Sequence, residues 1–339
     1  MKALANEKVV YILGAGFSAQ FGLPVMSNFL EKSKDMYALK NSGQGNSIPD
    51  IDFFESVYRE IDKLRRCKDF YASDMTNVEE ILSLFEMGKM LGSKSKQKID
   101  FQKFIAKVIN YHTPSVAEFK YRETDTLSNL RNFIKNLFRI NGITGLGSII
   151  YDDELPLYSV LTFNYDQLLE NALDNYKQQN VEYQQIGFSG TDVFAPGRLP
   201  YIKLHGTASD PQTIVTPTWK KAFGAREASN WKSAGTILSE ANHIRIIGYS
   251  LPITDSYLKF FLKWGAAHEQ NLKSIDVICL DDEQHSVEKR YRDFIHHKLN
   301  FFNKSTSDYL AAIHEGIEVA HKNLFPKTNN KTVQLVRVI

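Results

Sequence analysis

Five short apolar runs, each ending abruptly in a small or polar residue, constrain what this chain can fold into more than any other feature. They are Val9–Leu13 before Gly14, Ser159–Phe163 before Asn164, Tyr201–Leu204 before His205, Ile244–Ile247 before Gly248, and Val277–Leu280 before Asp281. Continuous β-branched runs of this length are typical of strands buried on both faces, although periodicity alone leaves short buried helices open. We expect strands, and therefore a doubly wound α/β fold with a mostly parallel sheet.

The carboxyl ends of parallel strands lie along one edge of the sheet, where open α/β folds bind their ligands. The glycines after the first and fourth runs would meet Asn164, His205 and Asp281 at that edge. This convergence predicts one cleft that binds a ligand, built from residues far apart in the chain.

The stretch between the first two runs has helical rather than strand patterning and predicts an inserted helical subdomain, residues 31–150. Apolar residues recur there at three- and four-residue spacing, which is typical of helix faces that pack in a core. They are Phe54, Tyr58, Ile61 and Leu64; Val78, Ile81, Leu82 and Phe85; Phe101, Phe104, Ile105 and Val108; and Leu127, Leu130, Ile134 and Leu137. Asn77 is expected to cap a helix whose first turn holds Glu79 and Glu80.

Residues 1–30 and 151–300 would then form a discontinuous main domain, and residues 301–339 a C-terminal helix and tail. After the last run, the spacing of Val287, Tyr291, Phe294 and Leu299 predicts one more helix. The weak alternation in Thr332–Ile339 fits an edge strand or an oligomer contact.

Composition excludes several classes of function. Lys plus Arg total 41 against 39 Asp plus Glu, so no net field draws the whole molecule to nucleic acid or to an anionic membrane. The two cysteines, Cys67 and Cys279, form neither a disulfide framework nor a four-cysteine zinc site. No window approaches the roughly 20 apolar residues of a membrane span, and the N-terminus lacks a signal-peptide core. We expect a cytoplasmic protein without a bound metal that binds neither membrane nor nucleic acid directly.

The turn after the first run, Gly14-Ala15-Gly16-Phe17-Ser18, opens onto a helix-like segment, where backbone amides can hold a pyrophosphate. A tight strand-to-helix turn without a ligand uses the same glycines. A phosphate loop of the NTPase kind needs a lysine followed by Ser or Thr, whereas Gly22 is followed by Leu23 and Pro24. A hydride-transfer dehydrogenase needs a second strand ending in an acid, but Asn28–Lys40 is helical in pattern.

Four motifs, each at the end of a predicted strand, resemble the sirtuin family in kind and order. They are Gly14-Ala15-Gly16-Phe17-Ser18 with Gly22-Leu23-Pro24, Thr162-Phe163-Asn164-Tyr165-Asp166, Lys203-Leu204-His205-Gly206, and Gly248-Tyr249-Ser250-Leu251-Pro252. The resemblance covers residues from about 8 to 30 and 155 to 285, but neither the helical insertion nor the tail. It implies a Rossmann-like domain with NAD+ as the substrate, and the shortage of cysteines leads us to expect no further cofactor.

The chain also departs from the sirtuins that deacylate proteins. Those enzymes carry two cysteine pairs for zinc between the histidine and the third turn, which this chain cannot supply. Val25 and Met26 stand in place of their Asp-Phe-Arg, and Phe163 replaces the glutamine of their Thr-Gln-Asn-Ile-Asp. In these features the chain resembles the NAD-hydrolysing branch found in prokaryotic anti-phage defence.

The resemblance implies that the protein cleaves the nicotinamide–ribose bond of NAD+, with Asn164, His205 and Asp166 as catalytic residues. Asn164 would contact a ribose hydroxyl or a water, His205 would act as base, and Asp166 would orient the nicotinamide amide. The predicted NAD-binding residues are Gly14, Ala15, Gly16, Ser18, Gly22, Pro24, Gly248 and Ser250, together with Asp281, which follows a strand end where an adenosine ribose commonly meets an acid. Structural roles stay open for several of these: backbone bonding for His205, a turn for Asn164, and helix caps for Asp166, Asp281 and Asp282.

Two other functions stay open: a catalytically silent NAD or ADP-ribose sensor, and a sirtuin-type protein deacylase or ADP-ribosyltransferase. Intact Asn164 and His205 argue against the sensor, and the missing zinc cysteines argue against the deacylase. Because an unregulated NAD+ hydrolase would exhaust its host, we expect a homo-oligomer or a complex with a separately encoded regulatory or sensor protein.

We predict that catalysis survives chelation, because two cysteines are too few for the sirtuin zinc site and no histidine cluster replaces it. The measurement is NAD+ turnover with and without a chelator such as EDTA. Turnover that is lost with the chelator and restored by added zinc would contradict this prediction.

Overall fold

The computed structural model describes residues 7–42, 51–71, 75–92, 96–121, 125–179, 181–215, 225–252, 255–267 and 271–324. The strands are β1 Lys8–Leu13, β2 Ile140–Ile143, β3 Ile149–Tyr151, β4 Leu157–Thr162, β5 Gly187–Ser189, β6 Arg198–Lys203, β7 His243–Ile247, β8 Ser274–Ile278 and β9 Leu299–Phe302. The helices are α1 Ala15–Ala19, α2 Phe29–Asn41, α3 Phe54–Leu64, α4 Val78–Met90, α5 Lys96–His112, α6 Val116–Tyr121, α7 Asp125–Leu137, α8 Leu168–Gln179, α9 Ala225–Ser239, α10 Ser256–Ala267, α11 Ser286–Arg292, α12 Thr306–Ala311 and α13 Ile317–Leu324. Short 3₁₀ helices lie at Met26–Asn28, Arg65–Asp69, Val181–Gln185, Pro211–Thr213 and Ala312–Glu315.

Within the described residues, seven strands form one sheet in the order β5-β6-β4-β1-β7-β8-β9, and every pairing in it is parallel. β1 lies at the centre, where Leu13 pairs with Thr162 of β4 on one side and Ile247 of β7 on the other. The five apolar runs are β1, β4, β6, β7 and β8. The predicted α/β fold with a mostly parallel, Rossmann-like sheet is therefore confirmed.

Alternate side chains of β1 supply the two faces of the sheet, because successive residues of a strand point to opposite sides. Val9, Tyr11 and Leu13 lie in one core with residues of α7, α8 and α12. Val10 and Ile12 lie in a second core with residues of α9, α10 and α11. All five side chains are at most 1% exposed, and burying one of this size stabilises the fold by roughly 2 kcal/mol. Helices on both faces make the sheet doubly wound.

Helices α2 to α5 build a third core, and they carry predicted stripes such as Ile81 in α4 and Phe104 in α5. Helix α4 begins as expected, because Oδ1 of Asn77 accepts from the amides of Glu79 at 2.9 Å and Glu80 at 3.2 Å. Helix α7 instead covers the sheet, with Phe133 edge-to-face against Tyr11 at 5.3 Å. The domain boundaries at residues 31 and 150 stay a prediction.

Three features of the described chain differ from the sequence expectations. The short strands β5 and β9 and the antiparallel β2–β3 pair were not anticipated. The helix predicted from Val287 to Leu299 was wrong at its end, since α11 stops at Arg292 and Leu299 opens β9. The five-residue step from Phe294 to Leu299 breaks the helical period, and Lys298 turns with a φ of 60°. The segment Thr332–Ile339 lies outside the described residues.

The C-terminal helices are tied to the first strand and the turn that follows it. Oγ1 of Thr306 donates to the carbonyl of Gly16 at 3.3 Å, and the hydroxyls of Tyr309 and Tyr11 are 2.8 Å apart. No helix in the described residues combines the length and apolarity that crossing a membrane requires.

The turn after β1 and the turn after β7 interlock through glycine backbones. The amide of Gly16 donates to the carbonyl of Gly248 at 2.8 Å, and that of Gly14 donates to Ile247 at 3.0 Å. A Cβ added to Gly16 would lie 2.8 Å from the Gly248 oxygen, and one added to Gly248 would lie 2.1 Å from the Phe17 nitrogen. Gly248 also has a φ of 64°. These positions need glycine because the two main chains approach each other closely, whether or not a ligand binds there.

We predict that Gly248→Ala destabilises the protein by about 3 kcal/mol or more, because a left-handed φ costs about 1 kcal/mol and the clash with backbone atoms adds to it. Gly22→Ala is the matched control, since Gly22 has a φ of 92° but no atom within 4 Å of an added Cβ; it should cost only about 1 kcal/mol. Urea unfolding of both variants measures this. An equal loss of unfolding free energy in the two variants would show that backbone strain, and not the contact between the two turns, causes the destabilisation.

Candidate active site

A cavity of about 400 Å³ opens where β1, β4, β6 and β7 end at their carboxyl edge. Most of the predicted site residues line it: Ala15, Gly16, Ser18, Pro24, Asn164, Asp166, His205, Gly248 and Ser250. Helices α4 and α5 of the helical segment add Val78, Glu79, Ile105 and Ile109 to its wall. The structure thus brings most of the strand-end residues together, though not Asp281, and the helical segment forms part of the same cavity.

Asn164 joins the end of β4 to the first glycine turn. Its Nδ2 group donates to the carbonyl of Gly14 at 2.9 Å and to Oγ of Ser18 at 3.1 Å, while its backbone amide donates to Oγ1 of Thr162. Because the amide nitrogen serves the turn, Oδ1 is the atom with which this side chain would accept a hydrogen bond from a ligand.

Asp166 is held in place from two sides. Oδ2 accepts from the hydroxyl of Ser18 at 2.8 Å, and Oδ1 accepts from the amide of Leu168 at 3.0 Å at the start of α8. Lys203 donates to its main-chain carbonyl. The capping role that the sequence left open is therefore present, and the carboxylate also faces the cavity.

His205 is buried among aromatic rings, with 3% of its surface exposed. Phe163 lies edge-on at 4.8 Å, and Tyr165 and Trp231 lie at 6.4 Å. Neither ring nitrogen has a hydrogen-bond partner among the described residues, so the backbone-bonding alternative does not describe it. A buried polar atom without a hydrogen-bond partner lowers the stability of the fold by about 1–3 kcal/mol. A ligand that bonds the two ring nitrogens would remove this cost, so His205 is a candidate ligand-binding residue.

Burial lowers the pKa of His205 to about 4, and the opposing effect of the Asp255 charge is the smaller one. The sequence suggested a histidine poised near neutral pH; in the cavity it is a neutral ring. It offers one N–H donor and one nitrogen acceptor.

The family model described as a SIR2-like domain matches residues 158–301, from β4 to β9 and somewhat less than half of the chain. Asn164, Asp166, His205 and the Gly248 turn all fall inside this stretch. This region of the chain is therefore similar to a SIR2-like domain. The first glycine turn, which completes its cavity, and the helical segment lie outside the match.

Two solved structures align with 91% of this chain and 92% of their own, at 14% sequence identity and a TM-score of 0.36. One is SIR2 in complex with the inhibitor EX-527, 2′-O-acetyl-ADP-ribose and a deacetylated p53 peptide, and the other is Sir2Tm bound to a propionylated peptide. Similarity this low places no constraint on activity. No curated protein matches the chain significantly.

Two further carboxyl groups line the cavity of the SIR2-like domain. Asp255 accepts from the hydroxyl of Tyr249 and, at 3.0 Å, from the amide of Leu258 near the start of α10. Glu79 lies in the first turn of α4 and is hydrogen-bonded to the Tyr165 hydroxyl, which also donates to the carbonyl of Val215 at 3.3 Å. The sequence could not single out Glu79, because it follows the Asn77 cap just as an ordinary first-turn acid does. Only the packing of α4 against the sheet brings it to the cavity.

Three predicted binding residues do not line the cavity. Gly14 contributes its carbonyl to Asn164, as described above. Gly22 makes a left-handed turn, and Lys32 donates to its carbonyl at 2.6 Å. Asp281 accepts from the amides of Val287 and Glu288, each at 2.8 Å, so it caps α11. A contact between Asp281 and an adenosine ribose stays a prediction.

One group of potential metal ligands occurs among the described residues, away from the cavity. A carboxylate or imidazole atom from each of Asp281, His285 and Glu288 lies within 4.8 Å of the others. Since the Asp281 carboxylate already accepts from helix amides, the arrangement is that of a helix cap.

We predict that His205 makes the protein less stable in acid. Its pKa of about 4 in the folded state lies below the ordinary 6.5, so the unfolded chain binds more protons between these values and stability falls as the pH drops from 6.5 to 4. The loss reaches about 3 kcal/mol by pH 4. Urea unfolding at several pH values should show a flatter dependence for His205→Gln than for His296→Gln, whose side chain is exposed. Identical curves for both variants would show that His205 does not titrate this way.

Proposed function

We propose that the protein is an NAD+ hydrolase that cleaves the nicotinamide–ribose bond to give nicotinamide and ADP-ribose. A SIR2-like domain supports an NAD-dependent function. The observation that carries the finer proposal is His205, buried in the cavity beside Asn164 with both ring nitrogens unpartnered. A ribose, whose hydroxyls are both donors and acceptors, is a ligand that would satisfy them.

Cleavage of this bond needs no strong general acid, because the nicotinamide of NAD+ is a cationic leaving group and departs as a neutral ring. The demanding part is the ribosyl cation, whose oxocarbenium character resembles that of glycoside cleavage. Polar groups that strengthen their contacts as this charge develops lower the barrier. The cavity suits a cation, since three carboxyl groups and no Lys or Arg are among the described residues that line it.

Each residue of the site has a distinct part in this proposal. Neutral His205 accepts from a ribose hydroxyl, and Oδ1 of Asn164 accepts from a second hydroxyl or from a water. Asp166, held by Ser18 and Leu168, orients the nicotinamide amide. The interlocked glycine turns line the cavity with main chain rather than side chains, which leaves room for the pyrophosphate.

The proposal extends to biology. Unregulated hydrolysis would exhaust the cell of NAD+, so we place the enzyme among regulated cytoplasmic effectors that deplete NAD+ in anti-phage defence. Self-assembly or a separately encoded partner would control it. Incubation with and without the products of neighbouring genes separates these routes.

We predict that Asn164→Ala and His205→Ala each slow nicotinamide release by about 10²–10⁴-fold, because each removes a polar group that touches the reacting sugar. Chromatography of NAD+, nicotinamide and ADP-ribose measures the reaction without any protein acceptor. The melting temperature of His205→Ala should stay close to wild type, whereas that of Asn164→Ala should fall by a few degrees, because this variant loses its hydrogen bonds to Gly14 and Ser18.

The controls are Asn171→Ala and His112→Ala. Their side chains bond the carbonyls of Pro114 and Val108, and neither lines the cavity. Activity near wild type in a folded Asn164 or His205 variant would remove that residue from the mechanism. NAD+ binding without cleavage by the wild type, under every condition tried, would point to a sensor instead.

A further inference from the structure

The three carboxyl groups of the cavity, those of Asp166, Asp255 and Glu79, differ in how many hydrogen bonds they accept from the protein. Both oxygens of Asp166 accept from protein donors, Ser18 and Leu168. Both oxygens of Asp255 do as well, since one accepts from Tyr249 and the other from Leu258. These two groups hold the ends of α8 and α10 in place.

Glu79 is differently placed. Its main chain is fixed by the Asn77 cap at 2.9 Å, so its side chain is not needed to start α4. The partly buried side chain reaches the cavity and meets the Tyr165 hydroxyl. A carboxylate has about four lone-pair positions, and one hydroxyl satisfies one of them. Glu79 is therefore the carboxyl group of this cavity with the most capacity left for a ligand or a water.

The surroundings of Glu79 make it a base suited to a pH near 8. Burial and the negative charge of Asp255 raise its pKa to about 8, although the Tyr165 hydroxyl opposes them. His205, with a pKa of about 4, is a much weaker base. Proton transfer is most efficient when the pKa of the catalytic group lies near the working pH. Of the two groups, Glu79 meets this condition.

We propose that Glu79, supplied by the helical segment, is the general base that accepts a proton from the water attacking the ribose. This inference rests on the proposed function. The C1′–N bond breaks and its electron pair neutralises the nicotinamide ring. The water oxygen forms a bond to C1′, one water proton passes to the Glu79 carboxylate, and solvent later removes it. His205 and Asn164 then hold the ribose, while Glu79 acts on the water.

Other charged and titratable groups face Glu79, and a pH profile has to be interpreted with them in mind. They are Tyr165 after β4, Tyr249 after β7 and Asp255 before α10. On its own helix, Glu86 faces Tyr165 but is paired with Lys98 at 2.8 Å. Burial raises the pKa of both tyrosines well above 10, so neither loses its proton near pH 8.

The test compares Glu79→Gln with Glu80→Gln, a neighbouring first-turn acid that does not line the cavity. In Glu79→Gln the new amide group can still form a hydrogen bond with the Tyr165 hydroxyl, so the fold should be kept. For wild type and Glu80→Gln, kcat/KM should rise about tenfold per pH unit below pH 8 and level off above it. Glu79→Gln should be at least about 10²-fold slower and lack this rise, with a melting temperature close to wild type.

A second variant separates catalysis from packing. In Glu79→Ala, azide should restore nicotinamide release at least about tenfold, because this anion attacks C1′ without a proton to be removed, and the product is the ribosyl azide. Wild-type rates should change little. If wild type cleaves NAD+ and Glu79→Gln keeps both rate and pH profile, or azide rescues nothing, Glu79 is not the base and the hydrolase function stands. If wild type binds NAD+ but never cleaves it, the hydrolase function and the role of Glu79 fail together.

Discussion

Contact between two glycine turns positions everything else at the cavity. Gly16 bonds Gly248 through the main chain, and Gly14 bonds Ile247, so the ends of β1 and β7 approach more closely than side chains would allow. The carbonyl of Gly14 then receives the Asn164 amide, and Ser18 in the same short helix holds Asp166. The glycines that suggested a phosphate-binding loop thus serve first to join strands, and their place in the cavity follows from that.

The sequence predicted the centre of the fold better than its margins. The apolar run Val9–Leu13 predicted β1 correctly, because a strand that is buried on both faces is apolar throughout. The outermost strands β5 and β9 are only partly buried, so Gly187–Ser189 and Leu299–Phe302 carry no such run. Strand ends also placed Asn164 and His205 correctly in one cavity. Each residue follows the end of a strand, and the carboxyl ends of parallel strands lie at one edge of the sheet, so the two residues come together there.

What the sequence could not predict was the environment of each ionisable group. The pKa of a histidine is near neutrality in water, and only the rings of Phe163, Tyr165 and Trp231 around His205 reveal that it stays neutral. Glu79 resembles Glu80 in every local respect until α4 is packed against the sheet. Burial thus moves the two pKa values in opposite directions, which is how one cavity can divide the tasks of binding and proton transfer.

The bond from Thr306 to Gly16 joins residues 290 positions apart. During synthesis the first glycine turn leaves the ribosome before β7, the strand that locks it, and before α12, the helix that bonds it. A nascent chain therefore carries the motif without the cavity. For an enzyme that consumes NAD+, as we propose, this order of assembly keeps each molecule inert until the segments from β1 to α12 have all been made.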